Sequence, residues 1–303
     1  MTNKEACPLQ AEGLPEGIYF GLPFEQYIND PAIGRSEIVA LNTSPLEYWL
    51  TSWMNPKRKP FRETSAMKAG TAMHTLLLEP DAFFDRYFVM PGGEWQDGKV
   101  MIKQTDYETL LAQRAIIQSI PEINQLFQYG YPEVSMFWRD PHTGLMVKCR
   151  HDYLKEFGSV DYKTTERILT PWTFGTMVSN HGYHVQNALY IEGTHTCRRR
   201  LRDKTIKYYG KPNLQWLRDF VKFDHEVKEE LFVFVLQKRL EPYPVAVFDL
   251  DIEILGAGFS MLRAGLDTYL NHLEQYGTKM WMSTKKANWS SLTYRDVPGR
   301  LFK

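Results

Sequence analysis

The residues from Val134 to Thr164 impose the tightest constraint on the fold, because the hydrophobic period there falls from about 3.6 to 2. Val134 to Arg139 is strand-like, Asp140-Pro141-His142-Thr143-Gly144 has turn composition, and Leu145 to Leu154 alternates, so the two arms read as a β-hairpin. In the second arm Leu145, Val147, Cys149, His151 and Tyr153 share one face, and Lys148, Arg150 and Asp152 the other. Glu156-Phe157-Gly158 then leads into a third strand, Ser159 to Thr164. Ser159, Asp161 and Lys163 share one of its faces, and Val160, Tyr162 and Thr164 the other. Antiparallel pairing of the second and third strands brings Asp152 and Asp161 together, with Lys163 one pleat further along.

The flanking segments return to helical spacing. Ser36 to Trp53 predicts two short helices meeting at Thr43-Ser44-Pro45, followed by a basic, Pro-containing loop from Asn55 to Arg62. Ser65 offers an N-cap for a helix through about Leu78, closed by Pro80, and a helix from Thr105 to Ile120 is stopped by Pro121. Beyond the third strand a helix is expected over Pro171 to Glu192, bent near Ser179 to Gly182, with Gln186 and Tyr190 one turn apart. Leu231 to Gln237 and Val245 to Asp251 read as strands across a Pro-rich turn, and Glu253 to Tyr276 as a long amphipathic helix. The fold class expected is therefore α/β, a central mixed sheet flanked by helices, with extra N-terminal helices and a basic C-terminal tail.

Composition sets the boundaries. With 303 residues, 43% of them hydrophobic, the chain can bury one sizeable core. The N-terminus has no apolar h-region, and the longest strand-like apolar run, Leu231 to Leu236, is far short of the ~20 residues of a membrane span, so a soluble, cytoplasmic protein is expected. Cys7, Cys149 and Cys197 are too few and too scattered for a disulfide framework. Lys plus Arg and Asp plus Glu both number 36, so any attraction to a polyanion must be local. Three stretches are locally basic. Arg198, Arg199, Arg200, Arg202, Lys204, Lys207 and Lys211 face only Asp203; Lys57, Arg58, Lys59, Arg62 and Lys68 face only Glu63; the tail from Lys279 to Lys303 carries the third cluster. These are either one nucleic-acid track or three solvated surface segments. His181, His184, His195 and Cys197 have no spacing that matches a closed zinc site.

An acid two residues before a lysine is uninformative alone, since roughly two such matches arise by chance in a chain with this many acids and lysines. The conjunction is specific. Gly70-Thr-Ala-Met-His74, Arg150-His-Asp152, Asp161-Tyr-Lys163 and Gln186-Asn-Ala-Leu-Tyr190, in that order, resemble the PD-(D/E)XK nuclease superfamily and, within it, the RecB-like exonucleases, closest to the C-terminal nuclease domain of RecE. Asp161 stands where many relatives have Glu. The resemblance covers roughly residues 33–251 and implies an N-terminal extension over 1–30, a nuclease domain over 31–276 and a tail over 277–303. Residues 196–230 match nothing in it and are expected as an insertion.

The resemblance implies a Mg²⁺-dependent exodeoxyribonuclease, with Mn²⁺ as a substitute, acting on the ends of linear double-stranded DNA. Asp152, Asp161 and the main-chain carbonyl of Tyr162 would be metal ligands, as oxygen-preferring cations require. His74 would contribute to the metal site from its helix, Lys163 would orient or deprotonate the attacking water, and Gln186 and Tyr190 would bind phosphate or brace Lys163. Arg198, Arg199, Arg200, Arg202 and Lys204 are expected to contact DNA. The relatives further imply degradation of the 5′-ended strand, a ring-shaped homo-oligomer (trimer or tetramer), and a single-strand annealing recombinase as partner, typically in a phage or prophage. Two readings compete: another nuclease on the same core, either restriction-type or of the iron–sulfur kind for which three cysteines are too few, and a non-catalytic DNA-binding module.

Overall fold

The structure, a computed structural model, describes residues 9–61, 65–90, 98–223 and 230–281. Cys7, Arg62, Glu63 and the basic tail beyond Trp281 lie outside the described residues. Among the strands are β1 (Gly17–Tyr19), β2 (Tyr87–Met90), β3 (Val100–Lys103), β4 (Tyr131–Arg139), β5 (Met146–Lys155), β6 (Gly158–Thr165), β7 (Lys207–Tyr209), β8 (Leu231–Lys238) and β9 (Val245–Phe248). Seven of these form one sheet in the order β7-β1-β4-β5-β6-β8-β9, and β2 and β3 pair separately. The pairs β4–β5 and β5–β6 are antiparallel, as the meander demands, whereas β6 and β8 run parallel, so the sheet is mixed. Strand β1 pairs with β4, which builds part of the expected N-terminal extension into the central sheet.

Helices cover both faces. The short α1 (Phe24–Asn29) leads into α2 (Arg35–Thr43) and α3 (Pro45–Thr51), which break where Ser44 accepts from the Glu47 N–H and Pro45 opens the next helix. On one face α4 (Ser65–Leu78), α6 (Gln104–Ser119) and α7 (Pro121–Leu126), with the four-residue α5 (Phe83–Arg86), pack Met73, Leu76, Leu110 and Ile117 against Val160, Tyr162 and Val235. On the other, α2, α9 (Tyr183–Arg202), α10 (Leu214–Lys222) and α11 (Ile252–Tyr276) pack Ile38, Leu41, Leu189, Phe220, Leu262 and Leu266 into one core with Met136, Val147 and Cys149. Helix α8 (Pro171–His181), capped by Thr170, ends at Gly182, whose φ of 65° only glycine adopts cheaply, and the chain turns there into α9. The continuous apolar run of β8 follows from burial on both faces: Val233 and Val235 enter one core, and Phe232, Phe234 and Leu236 pack under α8. Among the described residues no helix is long and apolar enough to cross a membrane.

Two sequence expectations change here. Tyr153, placed with Val147 and Cys149 by alternation, lies in the opposite core, because the ladder is interrupted at Glu133 and Asp152 and Glu133 takes a φ of 54°. The expected end of the helix at Glu192 is ten residues short, because α9 continues to Arg202 and carries the first basic residues inside it.

Helices α9 and α11 approach so closely that a Cβ on Gly258 would sit 2.1 Å from the His184 carbonyl oxygen. Backbone cannot yield as a flexible side chain does. Gly258→Ala is therefore expected to lower unfolding stability by about 2–3 kcal/mol, read as a lower denaturation midpoint at unchanged slope.

Candidate active site

The meander converges on Asp152. Pairing of β5 with β6 stops at Tyr153 opposite Val160, and beyond it the Asp152 carboxylate accepts the main-chain N–H of Tyr162 at 2.9 Å. A side chain thus takes the place of a ladder bond, and the two strands separate at the point where chemistry needs room. Just below, His151 Nδ1 lies 2.6 Å from Ser159 Oγ and ties the strands together. Burial pushes His151 down to about 4, so it is neutral near pH 7.

Asp161 and Lys163, two apart on β6, meet in an ion pair of 2.6 Å, with Asp152 Oδ2 3.8 Å from the same ammonium. Burial raises Asp161 to about 6, against the opposing pull of Lys163. Burial alone would lower Lys163, but Asp161 and Asp152 outweigh it and hold the ammonium above its ordinary range. Lys163 is therefore a cation in the resting site, suited to holding water and offsetting phosphate charge rather than to taking a proton. Its ammonium also lies 5.7 Å from the centre of the Tyr183 ring.

From α9, Gln186 donates to Asp161 Oδ1 at 2.5 Å, so of the two expected roles, a phosphate contact or a brace on Lys163, the brace falls on the ion-pair partner of Lys163 instead. Tyr190, one turn further, lines the same cleft with its ring edge-on to His151 at 4.9 Å. From α4 on the opposite face, His74 Nδ1 comes within 3.7 Å of Asp152 Oδ2. The side chains of His74, Asp152, Lys163, Gln186 and Tyr190 line one cleft of about 500 Å³, and Asp161 is buried at its floor.

Glu133 was not foreseen. Donor atoms of His74, Glu133 and Asp152 all lie within 4.8 Å of one another, and Arg150 Nε holds Glu133 Oε2 at 2.6 Å. The signal was present in the register. Arg139 faces Met146 across the turn, and counting back along that pairing puts Glu133 opposite Asp152. A strand expected only from Val134 omits Glu133, whereas β4 begins at Tyr131.

These residues fit a divalent cation. Two carboxylates and an imidazole within coordinating reach, next to a third carboxylate on Asp161, form an oxygen-rich set with one nitrogen, which suits Mg²⁺ or Mn²⁺. The carbonyl of Tyr162 belongs to the strand segment between Asp161 and Lys163, while its side chain leaves the site to donate to Gln237 Oε1 at 2.6 Å.

The expected DNA-contacting arginines are not brought to this cleft. At ~1.5 Å per residue the end of α9 lies about 24 Å along its axis from Gln186. Arg198 is fully buried, bound to Glu230 at 3.2 Å and to the Glu156 carbonyl at 3.1 Å, with its guanidinium 4.5 Å from the Phe220 ring centre. It is a packing cation, not a surface contact. Arg200 pairs with Glu16 and the Arg139 carbonyl, while Arg199, Arg202 and Lys204 are exposed. Strand β7, which follows them, forms the sheet edge about 19 Å from β6 at the usual strand spacing.

No curated protein matches this sequence. A crystal structure from Eubacterium rectale, described as a "Putative exonuclease", superposes with a TM-score of 0.52 at 13% identity, covering 91% of this chain and 98% of that one, which establishes a shared fold. Residues 36–209 match the family described as a PDDEXK-like domain of unknown function (DUF3799), a segment that holds the cleft-lining residues from Met67 to Tyr190, while Phe24, Tyr27 and Arg35 precede it. That match spans more than half of the chain, which therefore belongs to this PDDEXK-like family.

Proposed function

We propose that the chain is a divalent-metal-dependent nuclease of the RecB-like kind that digests linear duplex DNA from its ends. One observation carries the reading: Asp152, Asp161 and Lys163 on two adjacent strands converge in one cleft with His74 and Gln186, which reach it from opposite faces of the sheet. Membership of a PDDEXK-like family and the fold shared with a protein described as an exonuclease support it.

Asp152, Asp161, His74, Glu133 and the Tyr162 carbonyl would hold the metal, Mg²⁺ by preference and Mn²⁺ as a substitute. When bound, such a cation polarises the phosphate and acidifies a water. The protein's own part follows from the geometry. Lys163, held as a cation, donates to the attacking water and to the phosphoryl oxygens as negative charge grows there. Gln186 fixes the orientation of Asp161 so that the carboxylate does not rotate away. Tyr190, buttressed by His151, presents a hydroxyl-bearing ring to the cleft for the phosphate backbone.

The resemblance to RecE extends the proposal to 5′ to 3′ degradation, 3′ single-stranded products for an annealing recombinase, and a closed ring of subunits around the duplex. End-labelled linear duplex and covalently closed circular DNA of the same sequence, each incubated with Mg²⁺, test it. The linear form should be consumed with early loss of the 5′ label, and the circle should survive until it is linearised. Equal attack on the circle would favour the restriction-type alternative, and no cleavage of either form the non-catalytic one. Light scattering should report a small multiple of 35.5 kDa.

A further inference from the structure

We infer that the loop Lys57–Phe61, together with Phe24, forms a landing surface for unpaired nucleotides at a DNA end, leading into the metal cleft. The inference rests on the nuclease reading for its substrate class, and on the following observations for its place.

Phe24 opens α1, a helix with no buried residue, and lines the same cleft as His74 and Asp152. Its ring is 42% exposed and meets the ring of Phe61, 44% exposed, edge-on at 6.0 Å. Two large aromatic rings left this open, one of them lining the cleft, are costly in water, and a flat apolar partner would cover them. Between α3 and Phe61 the chain presents Lys57, Arg58 and Lys59 to solvent, with no ion-pair partner among the described residues. Asn55 anchors this loop: its Oδ1 accepts the Lys57 N–H at 3.0 Å, its carbonyl accepts the Arg58 N–H at 3.1 Å, and its own amide donates to the Leu50 carbonyl at 2.7 Å. The cations are thus displayed from a fixed base.

A row of cations beside exposed aromatic rings matches a single strand, whose bases have free faces and whose phosphates run alongside. Bases within a duplex are already stacked on their neighbours and offer no face. The surface is also connected to the chemistry. Phe24 lies 6.0 Å from the Arg150 guanidinium, and Arg150 holds Glu133. Of the two described basic clusters, this one is joined to the cleft lining, through Phe61 on Phe24, and the one that ends α9 is not.

Binding of the full-length chain to a duplex bearing an unpaired tail, with 2-aminopurine as the first tail base, tests the inference. Ca²⁺ replaces Mg²⁺ to hold turnover off, and a blunt duplex serves as the reference. Wild type should prefer the tailed duplex and quench the probe. Phe61→Ala should weaken tailed binding about tenfold and abolish the quenching, while Phe61→Trp preserves both. Neutralising Lys57, Arg58 and Lys59 together should flatten the salt slope of tailed binding by about two. The Phe61 side chain is exposed, so circular dichroism should not change. If Phe61→Ala binds tailed DNA within twofold of wild type with the probe unaltered, the inference is overturned and the surface serves another partner. Failure of the two readings is distinguishable: a chain that grips tails through Phe61 but cuts nothing loses the nuclease reading alone, and one that cuts yet ignores Phe61 loses this one alone.

Discussion

Lys163→Ala and Asp161→Ala are each expected to lower cleavage of linear duplex DNA by at least ~10²-fold while the protein stays folded. The reason lies in what each group faces. The Lys163 ammonium sits 2.6 Å from Asp161 and 3.8 Å from Asp152, at the opening between two strands, where it can reach charge that exists only during phosphoryl transfer. Removing it leaves two carboxylates facing each other with no cation between them, which weakens the ground state little if a metal is present but strips the transition state of a fixed positive charge. Asp161 contributes on the other side of the same balance. Because burial raises it to about 6, the acid limb of the pH–rate profile should fall as the pH drops below that value, since the protonated carboxyl neither ligates a cation nor pairs with Lys163. Raising the metal concentration should move that limb to lower pH, because cation and proton compete for one carboxylate. Rates within tenfold of wild type for both variants, with normal circular dichroism, would remove the catalytic assignment.

What the sequence disclosed divides along a physical line. Elements whose periodicity is set by one face of contact were legible: the three-strand meander, the capped break at Ser44-Pro45, and a helix reaching Leu78 all lie where their spacing puts them. The ordered residues of the cleft were legible as well, because strand alternation and a four-residue helical step fix relative position locally. Two kinds of information were not. The slip of faces at Asp152 depends on Glu133 adopting a positive φ and on a carboxylate replacing a ladder bond, and neither has a local signature. The fate of Arg198 depends on Glu230 and Phe220, partners supplied by segments that follow it in the chain, so a run of arginines that looks like one charged patch is split by helical geometry into buried and exposed members. Local charge density says how many cations a stretch holds. It does not say which of them reach water.

Arg198 accordingly yields the largest expected effect on stability. Arg198→Ala should destabilise the fold by about 3–5 kcal/mol, the scale for breaking a buried ion pair from one side, whereas Arg199→Ala and Arg202→Ala, on the exposed side of α9, should stay within about 0.5 kcal/mol. Glu230 shows why. Burial alone would raise its carboxyl, but hydrogen bonds and charge from His195 and Arg198 hold it below the ordinary glutamate value. A depressed folded value means that its contribution is complete above the unfolded value of about 4.3 and is lost as the pH falls through the folded one, so wild type should lose stability in that acid window. In Arg198→Ala one of the groups that depress Glu230 is gone, so the variant should show a shallower acid loss from a lower plateau. Urea denaturation across pH 3 to 7 measures both features. The outcome that reverses the assignment is equally definite: a variant as stable as wild type whose DNA binding loses about one unit of salt slope would put the guanidinium on a phosphate and not on Glu230. A buried cation with two acceptors and an aromatic ring against it has no geometry left for that phosphate, which is why the stability change is the one expected.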